Sequence, residues 1–157
     1  MQSRGRFSLV AAVVVMILVS SAAATTSPKA AFSVRVRAIG TQAQHALLAM
    51  PPATASPNPT DAAATAAQLQ AIYQRVARRM AALTPPKAIK ADFKILLASY
   101  QAAARYAAAW RDAILHGTAQ QAADASHKLY LNPESVRASN AMARISLKGY
   151  YFGTFFH

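Results

Sequence analysis

Five carboxylates, Asp61, Asp92, Asp112, Asp124 and Glu134, and four imidazoles, His45, His116, His127 and His157, are the whole supply of acids and histidines in this chain. General acid–base work needs such groups to converge on one substrate, and a transition-metal site needs three or four ligands. The spacing writes neither. The histidines fall on four separate segments with no pair at i, i+4, and no carboxylate completes a ligand set around any of them. His116, at a helix C-terminus, is placed for a charge–dipole contact, while His45 and His127 lie beside core stripes. Asp92 and Asp112 are expected to pair with neighbouring Lys and Arg. There is no cysteine, which excludes thiolate nucleophiles, iron–sulfur clusters and thioether-linked haem. No G-x-S-x-G elbow, H-E-x-x-H helix or phosphate-cradling glycine loop is present. The expectation is therefore no catalytic residue, no metal and no cofactor.

The cations are the larger signal. Seventeen Lys and Arg against five acids give a formal charge of +12, a field that favours anionic partners and weakens as salt rises. Two clusters, Arg75, Arg78, Arg79 and Lys87, Lys90, Lys94, flank Pro85-Pro86 and are expected to face one end of the fold as an anion-binding surface. The competing reading is two solvated helix faces that keep the protein soluble, since the charges are spread along the chain without a basic run. A specific nucleic-acid partner is not expected, because no stacking aromatics interleave with these cations. Acidic envelope polymers and a membrane surface fit better, and no residue pattern identifies a protein partner.

The N-terminus bounds the compartment. Met1 to Arg6 carries two arginines and no acid, Leu9 to Val19 is an apolar run of eleven residues, and Ala22-Ala23-Ala24 offers the small residues that signal peptidases accept. The pattern predicts a signal peptide over residues 1–24, cut before Thr25, and a periplasmic or extracellular protein. The alternative is an uncleaved membrane anchor. A span needs about 20 apolar residues, and the run reaches that length only by counting the serines and alanines after Val19. Loss of Arg4 and Arg6 leaves fifteen cations against five acids, near +10, on a chain long enough for one domain.

Helices must position these residues. Alanine is abundant, glycine is scarce, and apolar residues recur at intervals of three and four, so the fold class is all-α, an antiparallel bundle of four or five helices over residues 25–148. Phe32, Val36, Ile39, Ala43, Ala46 and Met50 stripe a first helix from about Ala31 to Ala49, ended by Pro51-Pro52. A Pro-rich loop follows over 51–60. Thr60 or Asp61 is expected to cap a second helix that runs to about Leu83, with Leu69, Ile72, Val76, Met80 and Leu83 on one face. In the third, Ile89, Phe93, Leu96, Tyr100, Ala103, Ala107, Trp110 and Ile114 alternate spacings of four and three. Leu97, Ala104, Ala108 and Leu115 widen that stripe enough for two neighbours. Gly117 is expected to end this helix in a left-handed cap. Thr118 caps a further segment to about Leu131, and Asn132-Pro133-Glu134 starts another to about Lys148. Periodicity leaves open whether these are two helices or one bent helix.

The C-terminal tail, residues 149–157, holds Tyr150, Tyr151, Phe152, Phe155 and Phe156. Three readings compete: the tail folds back to close the bundle, inserts into a membrane interface, or docks on a partner.

Two families bear on these residues. Exported bundles of the cytochrome b562 type hold haem between an axial Met and His, and this chain resembles them in architecture alone. Met50, Met80 and Met142 stand at core positions, and no Met and His pair by spacing. The exported all-helical chorismate mutases grip a dianion with Arg, Lys and Gln. Gln70, Arg75, Arg78, Arg79, Lys90 and Arg105 are of those types, but the ordered pattern along that family's long helices is absent. The reading that follows is an exported, non-catalytic helical bundle with a basic surface and a binding or structural role in the cell envelope. The alternatives are a bundle carrying a small ligand or cofactor, and an exported helical enzyme acting on an anionic substrate in the manner of a chorismate mutase.

Overall fold

Two cap–proline pairs, Ser27-Pro28 and Asn58-Pro59, start the first two helices. In each the polar side chain accepts from a backbone N–H of the first turn, Ser27 Oγ from Ala30 at 3.2 Å and Asn58 Oδ1 from Thr60 at 3.0 Å. The proline occupies a position where its missing N–H costs nothing. The cap expected at Thr60 or Asp61 is therefore at Asn58, and the first helix begins three residues ahead of Ala31, at Pro28.

The computed structural model describes residues 27–51, 58–131 and 133–153. Regular structure among them is all helical: α1 Pro28–Leu48, α2 Pro59–Ala81, a 3-10 turn Lys87–Ile89 leading into α3 Lys90–His116, α4 Ala119–Tyr130 and α5 Pro133–Leu147. The 1–24 signal, Phe155 and Phe156 lie outside the described residues.

Thr118 caps α4 as expected, and does so reciprocally. Its Oγ1 accepts from the Gln121 N–H at 3.2 Å, and Gln121 Oε1 accepts from the Thr118 N–H at 2.7 Å. Gly117, however, is not left-handed. Its φ of −102° and ψ of −173° are extended, and glycine is needed for space. A Cβ there would lie 2.7 Å from the Ala113 carbonyl oxygen and 2.8 Å from Gln121 Oε1, inside the capping box.

The left-handed cap is at the other end of the chain. Gly149, at φ 75°, closes α5 in a Schellman turn, with its N–H donating to Ser146 O at 2.7 Å and the Tyr150 N–H to Ile145 O at 3.2 Å. Tyr150 and Ile145 then share one apolar cluster. Gly149→Ala is expected to cost about 1–2 kcal/mol for the left-handed backbone alone. It must also displace the Lys29 ammonium, which lies 2.7 Å from where the new Cβ would stand. A fall of several degrees in thermal midpoint checks this.

α3 is the centre of the assembly, packed by α2, α4 and α5, with α1 laid on α2. Side-chain pairs link neighbouring helices. Gln42 meets Arg79 across α1 and α2, Gln70 meets Arg111 across α2 and α3, and Asp92 near the start of α3 meets Arg144 near the end of α5. Trp110, late in α3, stacks edge-on with Tyr130 at the end of α4, centroids 6.5 Å apart. The segment after Gly117 is thus two helices laid end to end back along α3. Pro133 has no N–H to continue the ladder from α4 into α5.

The stripes read from the sequence are the buried ones: Phe32, Val36 and Ile39 from α1, Ile72, Val76 and Met80 from α2, Ile89 at the end of the 3-10 turn, and Phe93 and Leu96 at the start of α3. α5 adds Met142 and Ile145. Further along α3 the burial spreads beyond the stripe, of which Ala107 stays fully buried. Tyr100, Ala103, Trp110 and Ile114 are half-buried while Ser99, Ala102 and Ala104 are buried, as expected for a helix covered from two sides.

The tail belongs to this core. Phe152 is 1% exposed and meets Phe93 edge to face, centroids 6.3 Å apart at 86°. Phe32 in turn is edge-on to Phe93 at 5.5 Å and to Tyr150 at 6.3 Å. Tyr150 is also buried, and the Lys29 ammonium sits over its ring at 5.1 Å. For these two residues the membrane and docking readings give way to the packing one. Tyr151 alone of the described aromatics here faces outward, and its carbonyl accepts from Arg37 Nη2 at 3.3 Å.

Candidate functional site

Arg78 and Arg79 occupy the last turn of α2, where the helix dipole favours cations. Lys87 follows in the 3-10 turn, and Lys90 and Lys94 open α3. The two clusters therefore stand on adjoining turns of chain, but they do not share one face. Arg75 and Arg79 lie on the seam with α1, beside Ile39, Ala43 and Ala46, and Arg79 donates to Gln42 Oε1. Arg78 turns the other way, toward α3. Lys87, Lys90 and Lys94 are exposed.

Acids reach few of the cations. Arg111 pairs with Asp112 at 2.7 Å, Arg137 with Glu134 at 3.4 Å, and Arg144 and Lys148 both with Asp92 at 2.7 and 2.9 Å. Among the described residues, the other eleven Lys and Arg have no carboxylate within 4 Å.

Asp112 thus pairs with its sequence neighbour as expected, whereas Asp92 reaches partners 52 and 56 residues away. Asp92 is 6% exposed at the α3–α5 contact. Burial pushes its carboxyl up, but hydrogen bonds from Lys148 and Arg144 and their two charges outweigh that and hold it below the ordinary 3.8. Tyr73 and Tyr100, their rings 6.4 Å apart, are both pushed up by burial and stay protonated.

A groove of about 360 Å³ lies between α2 and α3. Gln70, Gln74 and Arg78 line it from α2 at intervals of four, and Gln101 and Arg105 from α3 at the same interval. Ala77, Ala81, Ala104 and Ala108 keep step with them, and side chains that end at Cβ leave the gap that the longer ones border. No carboxylate lines it. At one end Arg111 Nη1 donates to Gln70 Oε1 at 3.1 Å, while its Nε and Nη2 hold Asp112 at 3.0 and 2.7 Å. The Gln70 carbonyl is thereby engaged, which leaves its amide NH₂ as a donor.

Of the six residues with anion-gripping side chains, Gln70, Arg78 and Arg105 converge on this groove; Arg75, Arg79 and Lys90 do not line it. Gln74, Gln101 and Arg111 are participants that sequence reasoning missed. The signal for the two glutamines was present as Gln-x₃-Gln-x₃-Arg and Gln-x₃-Arg in phase with alanine pairs, but it has meaning only once α2 and α3 are known to face each other.

His45, His116 and His127 are exposed, and His157 lies outside the described residues. Among the described residues no three His, Asp or Glu side chains gather as a metal site. Met80 and Met142 are buried in the core, and Met50 packs half-buried against it. No described helix is long and apolar enough to cross a membrane. Set against family models, curated proteins and solved structures, this chain matches none.

Proposed function

We propose that this protein is exported, is not an enzyme, and works in the cell envelope by binding anionic polymers through its basic surface. The observation that carries this reading is the charge distribution. Among the described residues, eleven of the fifteen Lys and Arg have no carboxylate within 4 Å, so the positive field is open to solvent and to whatever anion approaches. The non-catalytic part rests on the absence of a catalytic motif from the sequence, and Asp92 adds no candidate acid. A buried carboxylate held ionised between two cations is the opposite of an acid tuned to move a proton near neutrality. Export rests on the charged, apolar and small-residue pattern of residues 1–24, and the start of α1 is compatible with the cut. A cut before Thr25 keeps Ser27 and Pro28, so the mature chain retains the whole first helix with its cap. Intact mass of the exported product is expected to begin at Thr25, whereas a mass beginning at Met1 would establish the anchored form.

Co-sedimentation tests the binding. Retention on an acidic polysaccharide is expected at about 20 mM salt, where the Debye length exceeds about 20 Å, and release by about 0.5 M. A neutral polysaccharide is the control, and equal retention on it, or none on the acidic one, defeats the reading. Tighter retention on anionic vesicles than on the polymer would assign the surface to a membrane. A second reading, a bundle that holds a small ligand, is favoured by one feature, the α2–α3 groove.

A further inference from the structure

Resting on the reading that this surface meets anionic polymers, we propose that the α2–α3 groove is a discrete site for one carboxylated, hydroxyl-bearing unit, a sugar acid. The guanidinium groups of Arg78 and Arg105 are forks of N–H donors that match a planar carboxylate in two parallel hydrogen bonds. With no acid lining the groove, nothing inside it competes for them. The glutamines narrow the ligand further. Gln74 and Gln101 each offer a donor and an acceptor, and Gln70, turned by Arg111, offers its NH₂. A hydroxyl also donates and accepts, so sugar hydroxyls satisfy both ends of an amide. Sulfate has acceptors only and makes no hydrogen bond to the amide carbonyls, so it forgoes contacts that a hydroxyl-bearing ligand makes.

Size and access agree. A volume of about 360 Å³ is at the small end of ligand pockets, enough for one ring, with the alanines giving the ring face a flat wall. Arg78 and Arg105 are exposed, so a free sugar acid and a unit within a polymer both reach them.

Calorimetric titration of the exported protein with glucuronate, with an oligomer of glucuronate and with sulfate, at about 20 mM salt, tests this. Glucuronate is expected to bind at least about tenfold more tightly than sulfate, and Arg78→Gln or Arg105→Gln to weaken it about tenfold or more. Arg35→Gln removes the same charge from an exposed site on α1 and is expected to change affinity less than about twofold. Oligomer binding tighter than monomer binding identifies the polymer-borne unit as the ligand; equal affinities identify the free acid. Sulfate binding as tightly as glucuronate, an equal loss in Arg35→Gln, or no glucuronate binding overturns the proposal. If glucuronate fails while the Arg78→Gln, Arg105→Gln double variant still sediments with acidic polysaccharide, only the groove is wrong. If the unaltered protein does neither, the polymer reading fails with it.

Discussion

Phe152→Ala is expected to lower the free energy of unfolding by about 3–5 kcal/mol. The side chain is 1% exposed and fills the space between Phe93 and Phe32, so its removal loses the transfer energy of a phenyl ring and leaves a cavity that α1 and α3 cannot easily close. A domain of this size has about 5–15 kcal/mol in all, so the variant stands near the edge of folding. Tyr151→Ala, one residue away but 64% exposed, is expected to stay within about 0.5 kcal/mol. Urea denaturation of the two variants separates a tail that completes the core from one held ready for a partner. Equal midpoints for both would mean that the aromatic end of the chain is not part of the packing.

The second large effect belongs to Asp92. Replacing Arg144 and Lys148 together by Met is expected to cost about 3–5 kcal/mol at neutral pH, because it leaves a buried carboxylate with neither cation. Each single replacement costs much less, since the remaining cation still pairs and both are nearly half exposed. The pH dependence has opposite signs in the two proteins. In the unaltered protein the folded carboxyl titrates below its unfolded value, so its contribution is complete above about pH 4 and is lost as pH falls through the depressed value. In the double variant only desolvation remains, which raises the folded value. Its penalty is full above that raised value and is relieved as pH falls through it. The gap in urea midpoint between the two proteins is therefore expected to narrow from pH 7 to about pH 4. A gap that stays constant would mean that burial of Asp92 is not what the two cations offset.

What was legible in the sequence follows from which side chains report their own surroundings. The α1 and α2 stripes were readable because a helix buried on one side must place apolar residues at intervals of three and four, and Val36, Ile39, Val76 and Met80 do. The cap of α2 was misread because Asn58, Thr60 and Asp61 are all good capping types, and the choice among them was made by Pro59, which fits only the first turn. Gly117 was misread because a glycine after a helix serves either backbone freedom or space, and only the position of Gln121 distinguishes them. The two-helix character of residues 119–147 was half-written in Pro133. The partners of Asp92 and the α2–α3 groove were not legible, since each is made by residues that only the pairing of helices brings together.

The measurement that bears most directly on function is the affinity of the exported protein for an acidic polysaccharide across a salt series. It should be compared with that of a variant in which Arg75, Arg78, Arg79, Lys87, Lys90 and Lys94 are all changed to Gln. Log affinity of the unaltered protein is expected to fall steeply with log salt, as it does when fixed cations displace a polymer's counterions. The variant is expected to lose most of its low-salt affinity and most of that slope while keeping its helical content. A variant that binds like the unaltered protein, or an affinity indifferent to salt, would contradict an anion-binding role for these six cations.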